Sequence, residues 1–505
     1  MGTKTLIAVE ASPETHSIGC LDEAKDIIYR TYRSSKAYRN FVAAATAIKT
    51  EQKFRELPWE QIPITSKETL YEIAEITDLM PAENILNISS YLRSSGSSRA
   101  TSGGKGFFWP QLRESVNYSM QQWKKRVVEI FQLQHRKTLA IIGLGLGSWS
   151  GGDRYNLMLK SLALETTYPL SVFSPGTALP EIVEIITKFG AIYDQVLIII
   201  GPSAIFHLEQ LAKHNNVPLP YQKLAFILVG EGFHEDLRKH AQQQALPNKM
   251  TFMSNYASAD AELTGLESPE LAEVRQTLSD NPDYADAIGL NSRSIPNMFH
   301  AFKSAGYLEN VGGRMTITRW QGLPLARYDL HDSVQFFRWQ ALCSALARLT
   351  GEHEKWLAYS RRPHTDVVAV FGRSDQCLVF YGNNLYANML EGVLMRSTLG
   401  PSSTGNFVVW PTDSGGCRTL NWQVELKSGV ELSDQLINQH YASLVSVLAQ
   451  QHPSFGAYVS GILSPQGALS QEMFRFFFCN EPNLLNNPRY RLGIKKRIII
   501  PTGPI

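Results

Sequence analysis

Short apolar runs alternate with amphipathic segments between residues 138 and 265. Apolar runs of about four to eight residues bounded by turn residues are typical of buried strands, and apolar residues at three- and four-residue spacing are typical of helices. Strands that alternate with helices favour a largely parallel sheet covered by helices on its faces. The pattern predicts strands at 138–142, 170–173, 196–200 and 224–229, and helices at 183–189, 204–214 and 235–243.

The hydrophobic pattern on either side of this region predicts different structure. Residues 18–50 have apolar positions at helical spacing. A proline-punctuated linker at 54–64 then leads to a further helix that begins at Ser66. Residues 311–332 contain two β-rich runs separated by a turn, and they therefore predict hairpin-like β structure.

The chain after Gly372 predicts a smaller α+β unit, whose last strand is the basic run at 495–500. We therefore predict an α/β protein of two domains. The large N-terminal domain, residues 1–371, has β-sheets flanked by helices, and the small α+β C-terminal domain comprises residues 372–505.

Composition and charge narrow the class of protein. With 44% hydrophobic and 19% charged residues, the 505-residue chain resembles an ordinary globular protein that needs no disulfides to build its core. The formal net charge of +2 argues against a nucleic-acid-binding face or a polybasic membrane face. We therefore expect neither nucleic acid nor a membrane among the partners.

The cysteines indicate a reducing compartment. No C-x-x-C pair occurs, so neither a disulfide framework nor a zinc knuckle is expected. The N-terminus has no basic-then-apolar signal pattern, and the apolar runs are far shorter than a membrane span. These features predict a cytoplasmic protein. The five scattered cysteines are Cys20, Cys343, Cys377, Cys417 and Cys479.

A polar, glycine-rich stretch between residues 94 and 105 is the first candidate for ligand binding. Small residues let backbone N–H groups point into one concavity, and hydroxyl and basic side chains add donors and charge, which suits a polyphosphate. The same composition is also typical of a flexible surface linker. The Walker A pattern is not met. The candidate phosphate-binding residues are Ser94, Ser95, Gly96, Ser97 and Ser98.

A second glycine-rich stretch imitates a dinucleotide-binding motif. Gly143, Gly145 and Gly147 follow a predicted strand, but the third glycine comes one residue too early for G-x-G-x-x-G. No acidic residue follows at the end of a second strand in the expected place. A nicotinamide-binding fold is therefore disfavoured.

Three further groups of polar residues are ambiguous when taken singly. Residues 256–260 read Tyr-Ala-Ser-Ala-Asp, residues 327–332 read Arg-Tyr-Asp-Leu-His-Asp, and residues 372–375 read Gly-Arg-Ser-Asp. The acids and histidine of the second group match no standard set of metal ligands. Taken alone, the first and third groups are typical of turns, and the second is typical of the charged end of a strand.

The order and spacing of these segments resemble the motifs of the adenylate-forming superfamily, in particular its phenylacetate–CoA ligase branch. The family's S-S-G-T-T-G loop resembles 94–98, and its gGE segment resembles 229–231. Its Y-G-S-T-E and R-Y-x-T-G-D motifs resemble 256–260 and 327–332. Its G-R-S-D-D segment resembles the residues from 372 onwards most closely. The early stretch "LPWEQIPITSKETL" and the glycines of 143–152 also have family counterparts.

The resemblance implies an enzyme that uses ATP and Mg²⁺ to convert a small carboxylic acid into an acyl-adenylate. Tyr256 is then expected to lie against the adenine, Asp332 to accept the ribose hydroxyls and Asp260 to bind Mg²⁺. The small C-terminal domain is expected to be mobile about a hinge at Asp375. The expected nucleotide-binding residues are Ser94, Ser95, Gly96, Ser97, Ser98, Gly230, Glu231, Tyr256, Asp332 and Arg373.

Several positions depart from the family pattern. Asp260 stands in place of a glutamate, and His331 in place of the glycine before Asp332. Ile494 falls where the family has its late catalytic lysine, so that role is expected of Lys495 or Lys496. Some relatives carry a Cys/His zinc cluster after the Y-G-S-T-E block, but residues 261–310 contain no cysteine, so no zinc is expected.

The resemblance leaves the acyl acceptor open. Transfer to a thiol, first of all that of CoA, is the leading expectation. The alternatives are transfer to a carrier-protein thiol or to an amine, and an inactive relative that only binds a nucleotide. The acid is not identified by the sequence, and a homodimer is left open.

Overall fold

The computed structural model describes the chain continuously over long stretches before residue 374 and in shorter pieces after it. The described residues are 17–94, 107–165, 167–230, 232–233, 235–248, 250–290, 295–373, 377–380, 383–386, 390, 393–394, 397–414, 417–427, 430, 433, 438, 441–443, 445–447, 449, 474–480, 491–492 and 495–496.

Strands occur along the whole described chain. They are β1 (Ser17–Ile18), β2 (Ile88–Arg93), β3 (Phe108–Leu112), β4 (Thr138–Gly143), β5 (Leu170–Phe173), β6 (Gln195–Ile200), β7 (Leu224–Leu228), β8 (Thr251–Ser258), β9 (Glu262–Leu266), β10 (Asn297–Ala301), β11 (Tyr307–Val311), β12 (Arg314–Arg319), β13 (Leu325–Phe337), β14 (Val367–Arg373), β15 (Cys377–Phe380), β16 (Asn383–Tyr386), β17 (Ser403–Ser414), β18 (Cys417–Leu426), β19 (Phe474–Asn480), β20 (Arg491–Leu492) and β21 (Lys495–Lys496).

Helices lie between many of these strands. They are α1 (Leu21–Ser34), α2 (Lys36–Thr46), α3 (Glu51–Arg55), α4 (Ile76–Leu79), α5 (Arg113–Phe131), α6 (Ser150–Ala163), α7 (Leu179–Phe189), α8 (Pro202–His214), α9 (Glu235–Ala245), α10 (Pro269–Asp280), α11 (Pro282–Ala287), α12 (Trp339–Thr350) and α13 (His353–Ser360). No helix of the described residues is long and apolar enough to cross a membrane.

The chain divides into two compact units. The first comprises Met1–Ser94, Phe107–Leu133 and Thr251–Asp375, and the second comprises Ser95–Gly106, Gln134–Met250 and Gln376–Ile505. The change of unit after Asp375 lies close to the boundary predicted at residues 371 and 372. The predicted large and small domains themselves stay a prediction.

The first unit is built around a largely antiparallel sheet. Its strands follow the order β1-β11-β12-β13-β14-β10-β9-β8. The predicted hairpin at 311–332 is confirmed, because β12 pairs with its neighbours β11 and β13 in antiparallel register. Aromatic and aliphatic side chains of the N-terminal helices pack on this sheet, and Phe54, Tyr71 and Tyr328 lie in the same hydrophobic core.

The predicted helical region at 18–50 is interrupted at Ser35. This residue has an extended backbone, and its hydroxyl accepts a hydrogen bond from the backbone N–H of Tyr38 at 3.2 Å. The backbone N–H groups in the first turn of a helix have no acceptor within the helix, and the hydroxyl of a serine at this position supplies one. Ser35 therefore begins a second helix rather than continuing the first. Ser66 caps a short helical segment, Lys67–Tyr71, in the same way, and that segment is much shorter than the sequence pattern suggested.

The second unit contains the predicted parallel sheet. Strand β4 pairs in parallel with β5 and β6, and β6 pairs in parallel with β7. All residues of β4, β6 and β7 are buried, which explains why their sequences are continuous apolar runs without alternation. The strands and the three helices predicted for this region are confirmed, with bounds that differ by up to four residues.

Helix α6 is an element that the sequence pattern did not predict. It begins within the glycine-rich stretch, where helix propensity is poor. A Cβ atom on Gly152 would lie 1.9 Å from the carbonyl oxygen of Gly145, and Gly147 has a φ of +80°. These glycines therefore allow a tight loop and a close helix approach, which accounts for their spacing without a dinucleotide.

The C-terminal part of the second unit is rich in β structure. Strand β18 pairs with β17 in antiparallel and with β19 in parallel register, and Phe407, Trp422 and Phe474 belong to the core of this sheet. Of the strand predicted at 495–500, the described residues include Lys495–Lys496, which pair with Arg491–Leu492. The predicted α/β class, with helix-flanked sheets and a smaller C-terminal part, is confirmed.

Candidate active site

Two tyrosine–aspartate hydrogen bonds join the end of β8 to β13. The hydroxyl of Tyr256 donates to the Asp332 carboxylate, and the hydroxyl of Tyr328 donates to Asp260 Oδ2 at 2.8 Å. Residues 256–260 and residues 328–332 each begin with a tyrosine and end with an aspartate. Each tyrosine donates to the aspartate of the other segment. The structure thus brings Tyr256, Asp260 and Asp332 together in one unit.

Tyr256 presents an aromatic ring at this place. Its ring stacks on that of Phe299, with 5.4 Å between the ring centroids and 22° between the planes. Phe299 is buried, whereas Tyr256 is half-buried. One face of the Tyr256 ring is therefore supported by the core, as a platform for stacking requires.

Asp260 is held firmly by its surroundings. Its Oδ1 accepts the backbone N–H of Ala261 at 3.1 Å, and its backbone carbonyl accepts the Gln321 amide at 2.6 Å. Burial, followed by the nearby Asp260 charge, raises the pKa of Tyr328 well above its ordinary value. Tyr328 therefore stays protonated and serves as a hydrogen-bond donor to Asp260.

Arg327, at the start of the R-Y-D-L-H-D segment, is a structural residue. Its guanidinium donates to both carboxylate oxygens of Glu309, at 3.2 Å and 3.1 Å, and to the carbonyls of Trp59 and Ile62, at 2.9 Å and 2.7 Å. The indole of Trp59 also donates to Glu309 at 2.7 Å. Both charged side chains are buried, so this ion pair stabilises the sheet that carries Asp332.

His331 lies between two carboxylates. Its Nε2 is 3.2 Å from Glu68 Oε2, its Nδ1 is 3.6 Å from Asp329 Oδ2, and its backbone N–H donates to Asp329 Oδ1 at 2.8 Å. The hydrogen bond from His331 lowers the pKa of Glu68 to about 2, against the opposing effect of burial. Arg314 reaches the same Asp329 carboxylate at 3.2 Å.

Ser94 is the part of the predicted phosphate loop that the structure describes. Its hydroxyl accepts a hydrogen bond from Lys67 Nζ at 3.2 Å, and its backbone N–H donates to the carbonyl of Phe107 at 3.0 Å. Lys67 is buried and also lies 3.5 Å from Glu72. The candidates Ser95, Gly96, Ser97 and Ser98 lie outside the described residues.

Other predicted site residues are described only in part. Gly230 lies two residues after the end of β7 and has a φ of +96°, which suits a glycine, and Glu231 lies outside the described residues. Arg373 pairs with Asp332 in the register of β13 and β14. The description covers the backbones of Lys495 and Lys496 but not Asp375. Within the ranges described, no three His, Cys, Asp or Glu side chains are grouped so as to hold a metal ion.

The sequence did not point to three residues that complete the arrangement, namely Lys67, Glu68 and Tyr328. Lys67 and Glu68 lie in the stretch "LPWEQIPITSKETL", where Ser66 and Thr69 form a capping box. That signal places both charges in the first turn of a helix, but it does not indicate their partners. Tyr328 lies in the Arg327–Asp332 segment, and because residues 325–330 are all buried, strand alternation does not single it out.

Comparison with known proteins identifies the fold. No protein-family model and no curated protein matches the chain. Among solved structures, 2-hydroxyisobutyryl-CoA ligase in complex with 2-HIB-AMP and CoA is similar with a TM-score of 0.58 and 11% identity, over 95% of this chain and 88% of that chain. The fold of this protein is therefore the fold of that adenylate-forming ligase.

Two further solved structures are similar to the chain at lower TM-scores. The amide bond synthetase McbA from Marinactinospora thermotolerans has a TM-score of 0.44 and 12% identity, over 88% of this chain and 79% of that chain. An acyl acid amido synthetase in complex with 2,4-DB has a TM-score of 0.43 and 11% identity, over 95% of this chain and 90% of that chain.

Proposed function

We propose that this protein activates a small carboxylic acid with ATP, releases pyrophosphate, and transfers the acyl group from the acyl-adenylate to a thiol, first of all that of CoA. The observation that carries the proposal is the pair of tyrosine–aspartate hydrogen bonds, which gathers Tyr256, Asp260 and Asp332. These are the residues whose motifs resemble those of the adenylate-forming superfamily. The fold shared with 2-hydroxyisobutyryl-CoA ligase supports the same reaction class.

The nucleoside part of ATP would be bound by Tyr256 and Asp332. The Tyr256 ring would lie against the adenine, and the Asp332 carboxylate would accept the ribose hydroxyls. A carboxylate has about four lone-pair sites, so it can accept more than one hydrogen bond at a time. The phosphates would lie against the residues that follow Ser94, whose hydroxyl is fixed by Lys67.

The residues present are compatible with Mg²⁺. Each Asp260 oxygen accepts one described hydrogen bond, so the carboxylate still has lone pairs for an ion or its water. Mg²⁺ keeps several waters and uses one or two carboxylates together with substrate phosphates, so a cluster of three acids is not needed. When bound, Mg²⁺ would offset the negative charge of the triphosphate. Asp260 would orient it, and Tyr328 would orient Asp260.

Replacing Asp260 by asparagine is expected to raise the Mg²⁺ concentration for half-maximal pyrophosphate exchange by on the order of 10- to 100-fold, because the amide is a neutral and weaker ligand. The measurement is a Mg²⁺ titration at saturating ATP. Asp260→Glu is the matched control, since it keeps the charge and restores the length found in the family motif, and it should retain activity. An unchanged Mg²⁺ requirement in the asparagine variant would remove Asp260 from the metal site.

The lysine that offsets charge on the reacting carboxylate and α-phosphate is proposed to be Lys495 or Lys496. Successive residues of a strand face opposite sides, so only one of the two can face the substrate. Replacing that lysine by alanine should lower pyrophosphate exchange by about 100-fold or more. It should leave thioester formation from pre-made acyl-adenylate largely intact. Parental exchange in both single variants would exclude both lysines.

The experiment that tests the proposed function is ATP–pyrophosphate exchange with a panel of aliphatic, hydroxylated and aryl acids. The phenylacetate–CoA ligase resemblance makes an aryl acid the first one to test. Once an acid is found, CoA, a carrier protein and simple amines are compared as acceptors, which separates the thiol ligase from an amide synthetase. A folded protein that binds AMP but exchanges pyrophosphate with no acid would overturn the proposal in favour of an inactive nucleotide-binding relative.

A further inference from the structure

His331 occupies a backbone position that side chains seldom adopt. Its φ is +61°, in the left-handed region, where a Cβ atom approaches the following carbonyl. It lies directly before Asp332, where the resembling motif has glycine. The contacts around His331 must therefore hold it in this conformation.

The contacts of the His331 ring specify its protonation. Nε2 faces Glu68 Oε2 at 3.2 Å and Nδ1 faces Asp329 Oδ2 at 3.6 Å. A neutral imidazole donates from one nitrogen only, whereas the imidazolium donates from both. Two acceptor-only carboxylates on opposite sides of the ring therefore favour the doubly protonated form.

Among the described residues, Glu68, Asp329 and Arg314 bring charges to this ring from three elements. Glu68 belongs to the short helical segment Lys67–Tyr71, and Asp329 belongs to β13 together with His331 itself. Arg314 reaches Asp329 from β12 at 3.2 Å. The hydroxyl of Ser66 donates to Glu68 Oε2 at 2.9 Å. The imidazolium thus completes an alternating row of charges, Arg314–Asp329–His331–Glu68.

This row joins two candidate nucleotide-binding elements. His331 is the neighbour of Asp332 on β13, and Glu68 is the neighbour of Lys67, which holds the hydroxyl of Ser94 at 3.2 Å. His331 and Glu68 are 263 residues apart in the sequence, so their contact joins two distant segments of the chain. Losing the contact between His331 and Glu68 would remove a direct link between the strand that carries Asp332 and the segment that supports Ser94.

We propose that His331 is a positioning residue whose protonated ring, held between Glu68 and Asp329, fixes Asp332 relative to Ser94 and makes nucleotide affinity depend on pH. This inference rests on the proposed function, since it takes Asp332 and Ser94 as nucleotide-binding residues. The direction follows from the chemistry: as the pH rises and the ring loses its positive charge, its attraction to both carboxylates is lost, the hydrogen bond to Glu68 is weakened, and affinity falls. Glu68 stays ionised throughout the neutral range, because its pKa is lowered to about 2.

The test compares AMP binding by the wild-type chain and by His331→Asn. Asparagine tolerates the left-handed conformation, so the backbone is retained while the imidazole is removed. Because the same AMP is used with both proteins, the ratio of the two affinities does not depend on the protonation of AMP itself. We expect the wild type to bind about tenfold more tightly than the variant near about pH 6, and the ratio to fall towards one, by about threefold or more, near about pH 9. The KM for ATP should rise while kcat changes little.

Glu68→Gln and Glu83→Gln are the companion variants. Glu68→Gln removes the charge that faces Nε2 and should reproduce the loss, and it also serves if the asparagine variant fails to fold. Glu83→Gln removes an exposed carboxylate that pairs with Arg30 at 3.1 Å in the same unit, and it should change neither affinity nor pH profile.

Two outcomes overturn the inference while the proposed function stands. One is parental AMP affinity and pH profile in folded His331→Asn and Glu68→Gln. The other is a loss of affinity that is the same at every pH and follows a loss of thermal stability, which would indicate a purely structural role. A wild-type chain that neither binds AMP nor exchanges pyrophosphate would overturn the proposed function, and this inference with it.

Discussion

Replacing Arg327 by alanine is expected to lower the free energy of unfolding by about 3–5 kcal/mol, the usual cost of removing one partner of a buried ion pair. Both side chains of the pair are almost fully buried, at 4% exposure for Arg327 and 8% for Glu309. The alanine variant would leave the Glu309 charge without its guanidinium. It would also leave the carbonyls of Trp59 and Ile62 without these donors. Such groups cannot recover their lost bonds from water inside a core.

Chemical unfolding of matched variants checks this expectation. Lys36→Ala is the control, because Lys36 pairs with Asp78 at 2.9 Å on the surface, and exposed pairs contribute about 1 kcal/mol or less. Arg327→Lys keeps the charge but loses the planar fork, so it should fall between the two. If Arg327→Ala unfolds at the same denaturant concentration as Lys36→Ala, the buried network does not brace the sheet, and Arg327 is free for a role in the site.

The parts of the fold that the sequence predicts well are those in which local and tertiary signals agree. Strands such as β6 are buried on both faces, so a continuous apolar run identifies them directly. Helix α6 escaped prediction because Gly151 and Gly152 weaken the local signal while close packing against Gly145 requires the second of them. Propensity is a weak prior when a tertiary contact decides the residue type.

The candidate site also has features that the sequence predicts and features that it does not. Motif order singled out Tyr256, Asp260 and Asp332, because those residue types occur at spacings that the adenylate-forming superfamily shares. The hydrogen bonds between them depend on how the end of β8 meets β13, and Tyr256 and Asp332 are 76 residues apart. A single sequence contains no information on such pairing. For the same reason Glu68 could not be assigned to His331, although both lie in segments with family counterparts.

The chemistry at one motif also differs from residue to residue. Within residues 327–332, Arg327 and Tyr328 point into the core, and Asp332 is half-buried at the site. Strand alternation breaks at Arg327 and His331, whose φ values are +45° and +61°. These irregularities turn the chain so that Asp329 and Asp332 serve different partners. The motif at 327–332 therefore contains residues with three different roles: a structural arginine, a positioning histidine and one candidate ligand-binding carboxylate.

Replacing Asp332 by alanine is expected to weaken ATP and AMP binding by about 30- to 1000-fold, or about 2–4 kcal/mol, because the two charge-assisted hydrogen bonds that we propose to the ribose would be lost together. The measurement is calorimetric titration of AMP, which needs no knowledge of the acid. Adenine stacking on Tyr256 should persist, so 2′,3′-dideoxyadenosine monophosphate, which lacks both hydroxyls, should bind the wild type and the variant alike.

Tyr256→Phe is the matched variant, because it keeps the ring that stacks on Phe299 and removes only the hydroxyl that donates to Asp332. It frees a lone pair of the carboxylate, but it also removes one of the bonds that hold the carboxylate in position. These effects oppose each other, and affinity should therefore change by no more than about fivefold. A loss as large as that of Asp332→Ala would mean that the hydroxyl itself contacts the nucleotide. Parental AMP affinity in a folded Asp332→Ala protein would show that the ribose does not bind here, and the placement of the nucleotide on β8 and β13 would have to be abandoned.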